Sequence, residues 1–322
     1  MFSPAASAAS LADVVQTLGV VGRVLDPLLV ATAFGVVVAA LVPQGRRLLA
    51  PGLGLLVAAL ALGEAALMWF HLRLYQICQV ADPSTGVVTG SFAVPLWVES
   101  EKLYVWALIL AVIALVLRRH RGELQPLLAV GAAALTVGAI VWGRPFSDPL
   151  PDFLAQYTAY LSAVGSGDFG VAMNAFGSAE GSRRFFYNTW YMWVHPPLLF
   201  LSYGAFVASF AATVLMIARR RSSFETTAYR WARLGYLPLT FGMLIGFPWA
   251  IMAWQGDSWW WSGKVNMSIM MWLLYTAYLH ARLHLRARGM WRVVAALAVL
   301  SFVALVLTYV TTYLVPGAHS VA

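Results

Sequence analysis

Long apolar segments, separated by short polar stretches, follow one another from about residue 18 to residue 315 of the chain. Each is bounded by charged residues or by Pro and Gly, and most reach the ~20 mostly apolar residues that a membrane-spanning helix needs. The predicted spans are residues 18–42, 52–70, 103–117, 125–143, 190–217, 235–255, 267–286 and 293–315. The pattern predicts an all-α integral membrane fold, a bundle of about eight transmembrane helices.

The composition agrees with this pattern. Of the 322 residues, 61% are hydrophobic and 11% are charged, whereas about a quarter of the residues of a soluble domain are charged. The sequence contains no internal repeat and no soluble domain of any size, so we predict a single transmembrane domain over residues 1–322. The one cysteine, Cys78, excludes an internal disulfide and a CxxC pair.

The formal net charge of +8 arises from basic residues concentrated in alternate loops. Fourteen follow spans one, three, five and seven: Arg46, Arg47, Arg118, Arg119, Arg121, Arg219, Arg220, Arg221, Arg230, Arg233, Arg282, Arg286, Arg288 and Arg292. Six lie in the other loops: Arg73, Lys102, Arg144, Arg183, Arg184 and Lys264. Because basic loops stay in the cytoplasm, we predict both termini outside it, with a larger outer loop at residues 143–189. Membrane topology explains the positive charge, and no nucleic-acid partner is predicted.

Another predicted outer loop, residues 249–266, has the sequence WAIMAWQGDSWWWSGKVN and holds five of the 14 tryptophans. Tryptophan gathers at the boundary between lipid and water, so an aromatic belt is one interpretation. Five tryptophans in one loop exceed what anchoring needs. A platform of flat aromatic faces is the other interpretation, and it suits a flat apolar ligand such as a porphyrin.

Two histidines are predicted on the same membrane face as the tryptophans. His195 lies five residues after Trp190, about 7 Å along the helix, and His319 follows the last span. Imidazoles on separate helices can supply both axial ligands of a haem iron. Alternatively, His195 bonds a carbonyl that Pro196 and Pro197 leave without its helical donor.

Other titratable residues fall inside the predicted spans. His280 lies thirteen residues past Met267, roughly 20 Å deep, and an intramembrane histidine is a functional candidate. His284 lies close to the next basic loop and is interpreted as a surface residue. Glu64 has no partner that the sequence identifies, and His71 is either an interface anchor or an additional ligand.

Three stretches match a known pattern. WYMWVHPPLLFLSYGAF resembles HPPxLYxGYxG, WAIMAWQGDSWWWSGKVNMSIMMWLLYTAYLHARL resembles WAxxxWGxYWxWDPxExxxxxxWLxYxxYLHxR, and TYLVPGAHSVA resembles the segment around a second outer histidine. The chain thus resembles the haem-handling membrane proteins of cytochrome c biogenesis. This superfamily includes CcsA (ResC), CcmC and CcmF and carries a tryptophan-rich WWD motif. The resemblance covers residues 187–322 and, more weakly, residues 92–106.

The resemblance implies that haem b binds at the outer face and is presented for covalent attachment to apocytochrome c. It implies His195 and His319 as the outer axial pair and His280 as an intramembrane haem ligand. The aromatic positions that it implies are Trp249, Trp254, Trp259 and Trp261. It also implies a component of a haem lyase, or cytochrome c synthase, in a bacterial-type inner membrane, with a CcsB- or ResB-like membrane partner.

The chain departs from this family pattern after Trp261, where residues 262–266 read SGKVN and lack both family acids. The departure leaves open whether the chain performs the ligation step or only holds haem. The alternative function is a haem b electron-transfer subunit of a quinone-linked respiratory complex. A third is a non-haem assembly or transport protein on the same scaffold.

Overall fold

Helices account for nearly all of the regular structure. The computed structural model describes residues 3–117, 122–255, 259–285 and 289–315, with the backbone alone at residues 312–314. The helices are α1 (Pro4–Leu41), α2 (Arg46–Ile77), α3 (Lys102–Val116), α4 (Leu124–Gly138), α5 (Pro151–Gly165), α6 (Phe169–Ser182), α7 (Tyr191–Arg219), α8 (Ser223–Ala253), α9 (Gly263–Leu283) and α10 (Trp291–Leu314). Strands β1 (Gln79–Ala81) and β2 (Val88–Ser91) form an antiparallel hairpin.

Within the described residues, six helical segments are long and apolar enough to cross a membrane. They are Pro4–Leu41, Pro43–Ile77, Leu124–Gly143, Tyr191–Arg219, Ser223–Ala253 and Trp291–Thr311. The other two predicted spans are also helices: α3 has 15 residues and α9 has 21. The all-α, multi-pass membrane fold is thereby confirmed.

The tryptophan-rich loop is shorter than the predicted residues 249–266. Trp249 belongs to α8, which continues to Ala253, and Lys264 to Asn266 belong to α9. Ser262 ends the loop because it caps α9: its backbone is extended, and its side-chain oxygen accepts a hydrogen bond from the Val265 amide at 3.4 Å.

Residues 143–189, predicted as a loop, are mostly helical. Helices α5 and α6 fill this stretch and are followed by a π-helical turn, Arg183–Tyr187. Asp168 caps α6 by accepting a hydrogen bond from the Val171 amide at 3.1 Å. Several glycines and serines of this stretch lie at helix ends or inside α6, where tertiary packing overrides their weak helix propensity.

The chain divides into two compact units. Unit 1 comprises Met1–Val38, Gly54–Leu108 and Ala133–Trp193, and unit 2 comprises Ala39–Leu53, Ile109–Ala132 and Val194–Ala322. Helices α1, α2, α3, α4 and α7 each contribute residues to both units. The single domain predicted from the sequence stays a prediction.

In unit 1, two glycines bring helix backbones against buried aromatic rings. A Cβ at Gly22 would collide with Phe146, and one at Gly63 would collide with the Tyr104 hydroxyl and lie 2.9 Å from Phe146 Cζ. The two rings pack edge to face with centroids 5.5 Å apart. The Tyr104 hydroxyl donates to the Leu60 carbonyl at 2.9 Å, so the ring cannot turn away without losing that bond.

In unit 2, Phe206 of α7 joins three helices. Its ring stacks on Tyr275 of α9 with centroids 3.7 Å apart, and a Cβ at Gly235 of α8 would lie 2.7 Å from it. Glu225 of α8 is buried and accepts a hydrogen bond from Arg282 of α9 at 2.8 Å. These contacts hold α7, α8 and α9 together.

The packing at Gly63 predicts a difference between two glycines of α2. Gly63→Ala forces Tyr104 and Phe146 to move, and overpacking of this kind costs about 1–3 kcal/mol. Gly54→Ala meets nothing within 4 Å, so the better helix propensity of alanine leaves it neutral or up to ~1 kcal/mol more stable. The thermal unfolding midpoint of each purified variant in detergent measures the difference, and equal midpoints would contradict this packing.

Candidate functional site

His195 lies in the second turn of α7, where its imidazole contacts α8. Its Nδ1 is 2.6 Å from the carbonyl oxygen of Gly242. Only a protonated nitrogen can donate to a carbonyl, so Nδ1 carries the hydrogen and Nε2 keeps its lone pair. Metal-binding histidines are commonly held in this way, with one ring nitrogen bonded to a backbone carbonyl and the other free for the metal.

Two glycines of α8, one turn apart, let α7 pack closely against α8 beside this imidazole. A Cβ at Gly246 would collide with the His195 ring, and a Cβ at Gly242 would lie 2.9 Å from Leu199. Small residues four apart let helix backbones approach closely in membrane proteins. These glycines were not predicted from the sequence, although their G-x-x-x-G spacing inside a predicted span was the available signal.

His195 therefore does not bond a carbonyl freed by its own prolines, the alternative left open by the sequence. Its acceptor, Gly242, lies on another helix, and the residue four positions beyond that acceptor is Gly246, which has an amide hydrogen. The bond orients the imidazole toward α8 and does not supply a donor to a carbonyl of α7.

One of the predicted aromatic residues adjoins this imidazole, and a second packs on the first. The Trp249 ring is tilted by 32° to the His195 ring, with centroids 6.2 Å apart, and it is buried. Trp254 packs on Trp249 edge to face at 4.8 Å. His195, Trp249 and Trp254 therefore form one continuous aromatic group in unit 2.

Trp259 and Trp260 form a second aromatic group with Phe247. Trp259 is buried, stacks on Trp260 with centroids 3.9 Å apart, and meets Phe247 of α8 edge to face at 5.6 Å. Trp261 is 80% exposed. Burial indicates that Trp259 packs the loop onto α8, whereas the exposure of Trp261 leaves its ring open to a ligand.

His280 lies on the exposed side of α9. Its Nδ1 donates to the Thr276 carbonyl of its own helix at 2.8 Å, which again leaves Nε2 with a lone pair. The Thr276 hydroxyl lies 2.7 Å from the Tyr236 hydroxyl of α8, and Trp272 donates to Thr240 at 3.0 Å. His280 therefore stands beside a polar network that joins α8 to α9.

His319, the other predicted outer ligand, lies outside the described residues. Of the three predicted histidine ligands, the structure thus describes His195 and His280. His195 is the one of these two that adjoins a predicted tryptophan.

His71, for which the sequence left two interpretations, is a structural residue. It is buried, its Nδ1 donates to the Val94 carbonyl at 2.7 Å, and its Nε2 shares a proton with Glu101 Oε1 at 2.7 Å. Both ring nitrogens are occupied, so neither is free for a metal. Burial raises the pKa of the Glu101 carboxyl, and the neighbouring imidazole opposes that shift.

The turn Glu99–Glu101 also ties α5 into unit 1. The Glu99 carboxylate accepts hydrogen bonds from the amides of Asp152 and Phe153, at 3.0 and 3.2 Å, and from the Tyr187 hydroxyl at 3.1 Å. Burial, reinforced by the charge of Asp152, raises the pKa of Glu99 to about 7, although the hydrogen bonds to Asp152 and Tyr187 favour its ionised form. This carboxyl thereby serves as a cap for the first turn of α5.

The described residues contain no group of three or more His, Cys, Asp or Glu side chains placed to hold a bare metal ion. The donor at the candidate site is the single imidazole of His195, next to the Trp249 ring. This arrangement suits a metal that is already held in a flat macrocycle, because such a metal needs only axial ligands from the protein.

Comparisons with known proteins identify the family of this chain. The model of the family described as "Cytochrome C assembly protein" matches residues 96–319. The chain is 27% identical over 277 residues to "Probable cytochrome c-type biogenesis protein NrfE" of Escherichia coli K12, and the match covers 80% of this chain and 46% of that protein. It is 35% identical over 111 residues to "Cytochrome c biogenesis protein CcsA" of Gloeobacter violaceus, and this match covers 34% of this chain and 32% of that protein.

A solved structure has the same fold. The "Cytochrome c Heme Lyase CcmF" superposes with a TM-score of 0.61 at 20% sequence identity, covering 94% of this chain and 47% of that one. The chain therefore spans less than half the length of each of these relatives.

The His195 geometry predicts the effect of a single methyl group. Gly246→Ala fills the space that the imidazole occupies, so the ring must leave the Gly242 carbonyl, and ligand affinity at Nε2 falls by roughly 10–100-fold, as it does when metal ligands lose such partners. Gly138→Ala, at a helical glycine with nothing within 4 Å, is the control. Haem content of the two purified variants is the measurement, and equal contents would contradict the proposed position of His195.

Proposed function

Because this chain belongs to the cytochrome c assembly protein family, we propose that it binds haem b at the outer membrane face and presents it for covalent attachment to apocytochrome c. The observation that carries the proposal is the His195 imidazole. Its Nδ1–H donates to the Gly242 carbonyl, and its Nε2 lone pair is available next to Trp249. The relatives' names support a role in cytochrome c biogenesis.

The residues present fit a haem group. Imidazole is a common axial ligand of haem iron, and aromatic faces offer the apolar contact that a porphyrin ring requires. In this proposal His195 and His319 hold the iron from its two sides. Trp249, Trp254, Trp259 and Trp261 provide the aromatic surroundings, with Trp249 and Trp259 acting mainly through packing because both are buried.

The proposed attachment requires orientation more than acid–base catalysis. A thiol of the apocytochrome adds across a vinyl group of haem: a carbon–sulfur bond forms, and the thiol hydrogen goes to the other vinyl carbon. No oxidant or reductant is consumed in this addition. The chain's contribution is to hold haem in one orientation, which favours reaction with a docked acceptor. A role as a component of a haem lyase fits this contribution.

We place the site on the outer face on the basis of charge. The alternating basic loops support eight spans, with α3 and α9 as two of them, and both termini outside the cytoplasm. This orientation puts the start of α7 and the end of α8 on the outer side of a bacterial-type inner membrane.

A membrane partner fits the surroundings of His280. Its imidazole is on the exposed side of α9, and Nε2 has no hydrogen bond to any residue that the structure describes. An intramembrane haem held by His280 therefore needs its second ligand from another chain or from outside the described part of this one. A CcsB- or ResB-like subunit is the partner we propose.

The outer site is tested by comparing ligand and packing variants in one membrane preparation. His195→Ala or His319→Ala is expected to leave five-coordinate iron. Trp254→Ala or Trp261→Ala is expected to lower haem occupancy about tenfold, because lost apolar contact of ~1–2 kcal/mol weakens binding without changing the ligands. Haem content and the reduced absorption spectrum are measured for all four. If both histidine variants keep a bis-imidazole spectrum at full occupancy, the outer site is wrong.

The intramembrane site is tested at His280. His280→Ala is expected to lose a haem signal that added imidazole restores, because free imidazole can occupy the vacated position on the iron. His284→Ala, one turn further along the chain, is the matched control and is expected to leave the spectrum unchanged. Equal loss in both variants, or in neither, counts against His280 as a ligand.

A further inference from the structure

The first turn of α7 contains two carbonyls that lack their helical hydrogen-bond donors. The donors would be the amides of residues 196 and 197, but both are prolines and have no N–H. The carbonyls concerned are those of Met192 and Trp193. The residues four and five positions after Met192 are both proline, so neither can donate an amide hydrogen to the Met192 carbonyl. In an apolar environment an unsatisfied carbonyl is costly.

Trp97 supplies the missing donor to one of them. Its indole Nε1–H donates to the Met192 carbonyl oxygen at 2.6 Å. The Trp97 ring also meets the Trp193 ring edge to face, with centroids 5.6 Å apart and planes at 84°. Indole nitrogen is a donor and never an acceptor. A carbonyl that has no helical amide donor, because that residue is proline, is therefore a suitable partner for it.

The segment that carries Trp97 is itself tied down within unit 1. On one side, the Val94 carbonyl accepts from His71. On the other, the Ala93 amide donates to the Asn188 side chain at 3.1 Å, and that side chain donates back to the Ser91 carbonyl at 2.8 Å. Trp97 therefore reaches Met192 from a position that α2 and the chain before α7 both hold.

His195 lies three residues after Met192 on the same helix and tolerates little displacement. Its bond to the Gly242 carbonyl is short, and the space beside it closes if Gly246 gains even one carbon. We propose that Trp97 is a positioning residue: its indole takes the place of the backbone amide lost at Pro196 and holds the first turn of α7 where His195 can present Nε2. This inference rests on the proposed function, since haem bound at His195 is its readout.

The decisive experiment returns the missing amide. In Trp97→Phe the aromatic contact with Trp193 is kept and the donor is lost, so haem affinity is expected to fall roughly three- to tenfold, as for loss of one hydrogen bond, with part of the iron five-coordinate. In Trp97→Phe/Pro196→Ala, residue 196 has an N–H in the helical position for the Met192 carbonyl. The double variant is therefore expected to recover the affinity and the bis-imidazole spectrum of Pro196→Ala alone.

The control is Trp142→Phe, the same substitution at a tryptophan that is 84% exposed, which is expected to bind haem normally. All variants are compared as the full chain in membranes, by haem titration and reduced spectrum. Normal haem binding in Trp97→Phe overturns the inference, and so does a loss that Pro196→Ala fails to recover, because the ring then acts by packing alone. His195→Ala separates the two proposals: if it keeps a normal spectrum, the outer haem site itself fails. If it loses ligation while Trp97→Phe does not, only the role of Trp97 fails.

Discussion

The hydrogen bond from His195 to the Gly242 carbonyl requires two helices to approach more closely than side chains normally allow. Gly242 and Gly246 permit this approach because each lacks the Cβ that would meet α7. The bond then selects one tautomer of the imidazole and one ring orientation. Trp249, one turn beyond Gly246 on the same helix, meets the ring that results. The candidate site thus depends first on the absence of side chains and only then on the residues with chemical groups.

Backbone groups also need hydrogen-bond partners in unit 1, where water is scarce. Its turn Glu99–Glu101 has Glu99 in the left-handed region, at φ 45, a conformation that costs an L residue free energy. Hydrogen bonds from the first turn of α5 offset that cost. Two residues beyond Glu99, Glu101 bonds His71. Together these bonds fix the chain that leads from Trp97 into α3.

Several features of the fold could be predicted from the hydrophobic pattern of the sequence alone. Long apolar segments predict helices wherever they occur, because in a bilayer the backbone must satisfy its own hydrogen bonds. The starts of α7 and α10 fall within two residues of their predictions for this reason. The helices within residues 143–189 were harder to predict. The glycines and serines of α6 weaken the local helical signal, and the helix is held by contacts with distant residues. One such contact is the bond from Gln156 of α5 to Ser182 at 2.7 Å.

For the individual histidines, too, some properties could be predicted from the sequence and others only from the structure. Depth along a helix follows from counting residues, so His195 and His280 were identified as candidates from sequence. Counting residues along a helix does not show whether an imidazole has one nitrogen free or both nitrogens hydrogen-bonded. His71 and His195 look alike in sequence, each at one end of an apolar segment, yet Glu101 lies 2.7 Å from the Nε2 of His71.

What the sequence by itself determined is the membrane class, the positions of most helices and the residue types available for binding a macrocycle, because each of these depends on local composition and period. The tertiary structure alone decided which partners those residues meet. Gly242 lies 47 residues from His195 in the chain and Met192 lies 95 residues from Trp97. Contacts over such separations are set by how helices pack, and packing depends on side-chain shape across several helices at once, which no short stretch of sequence contains.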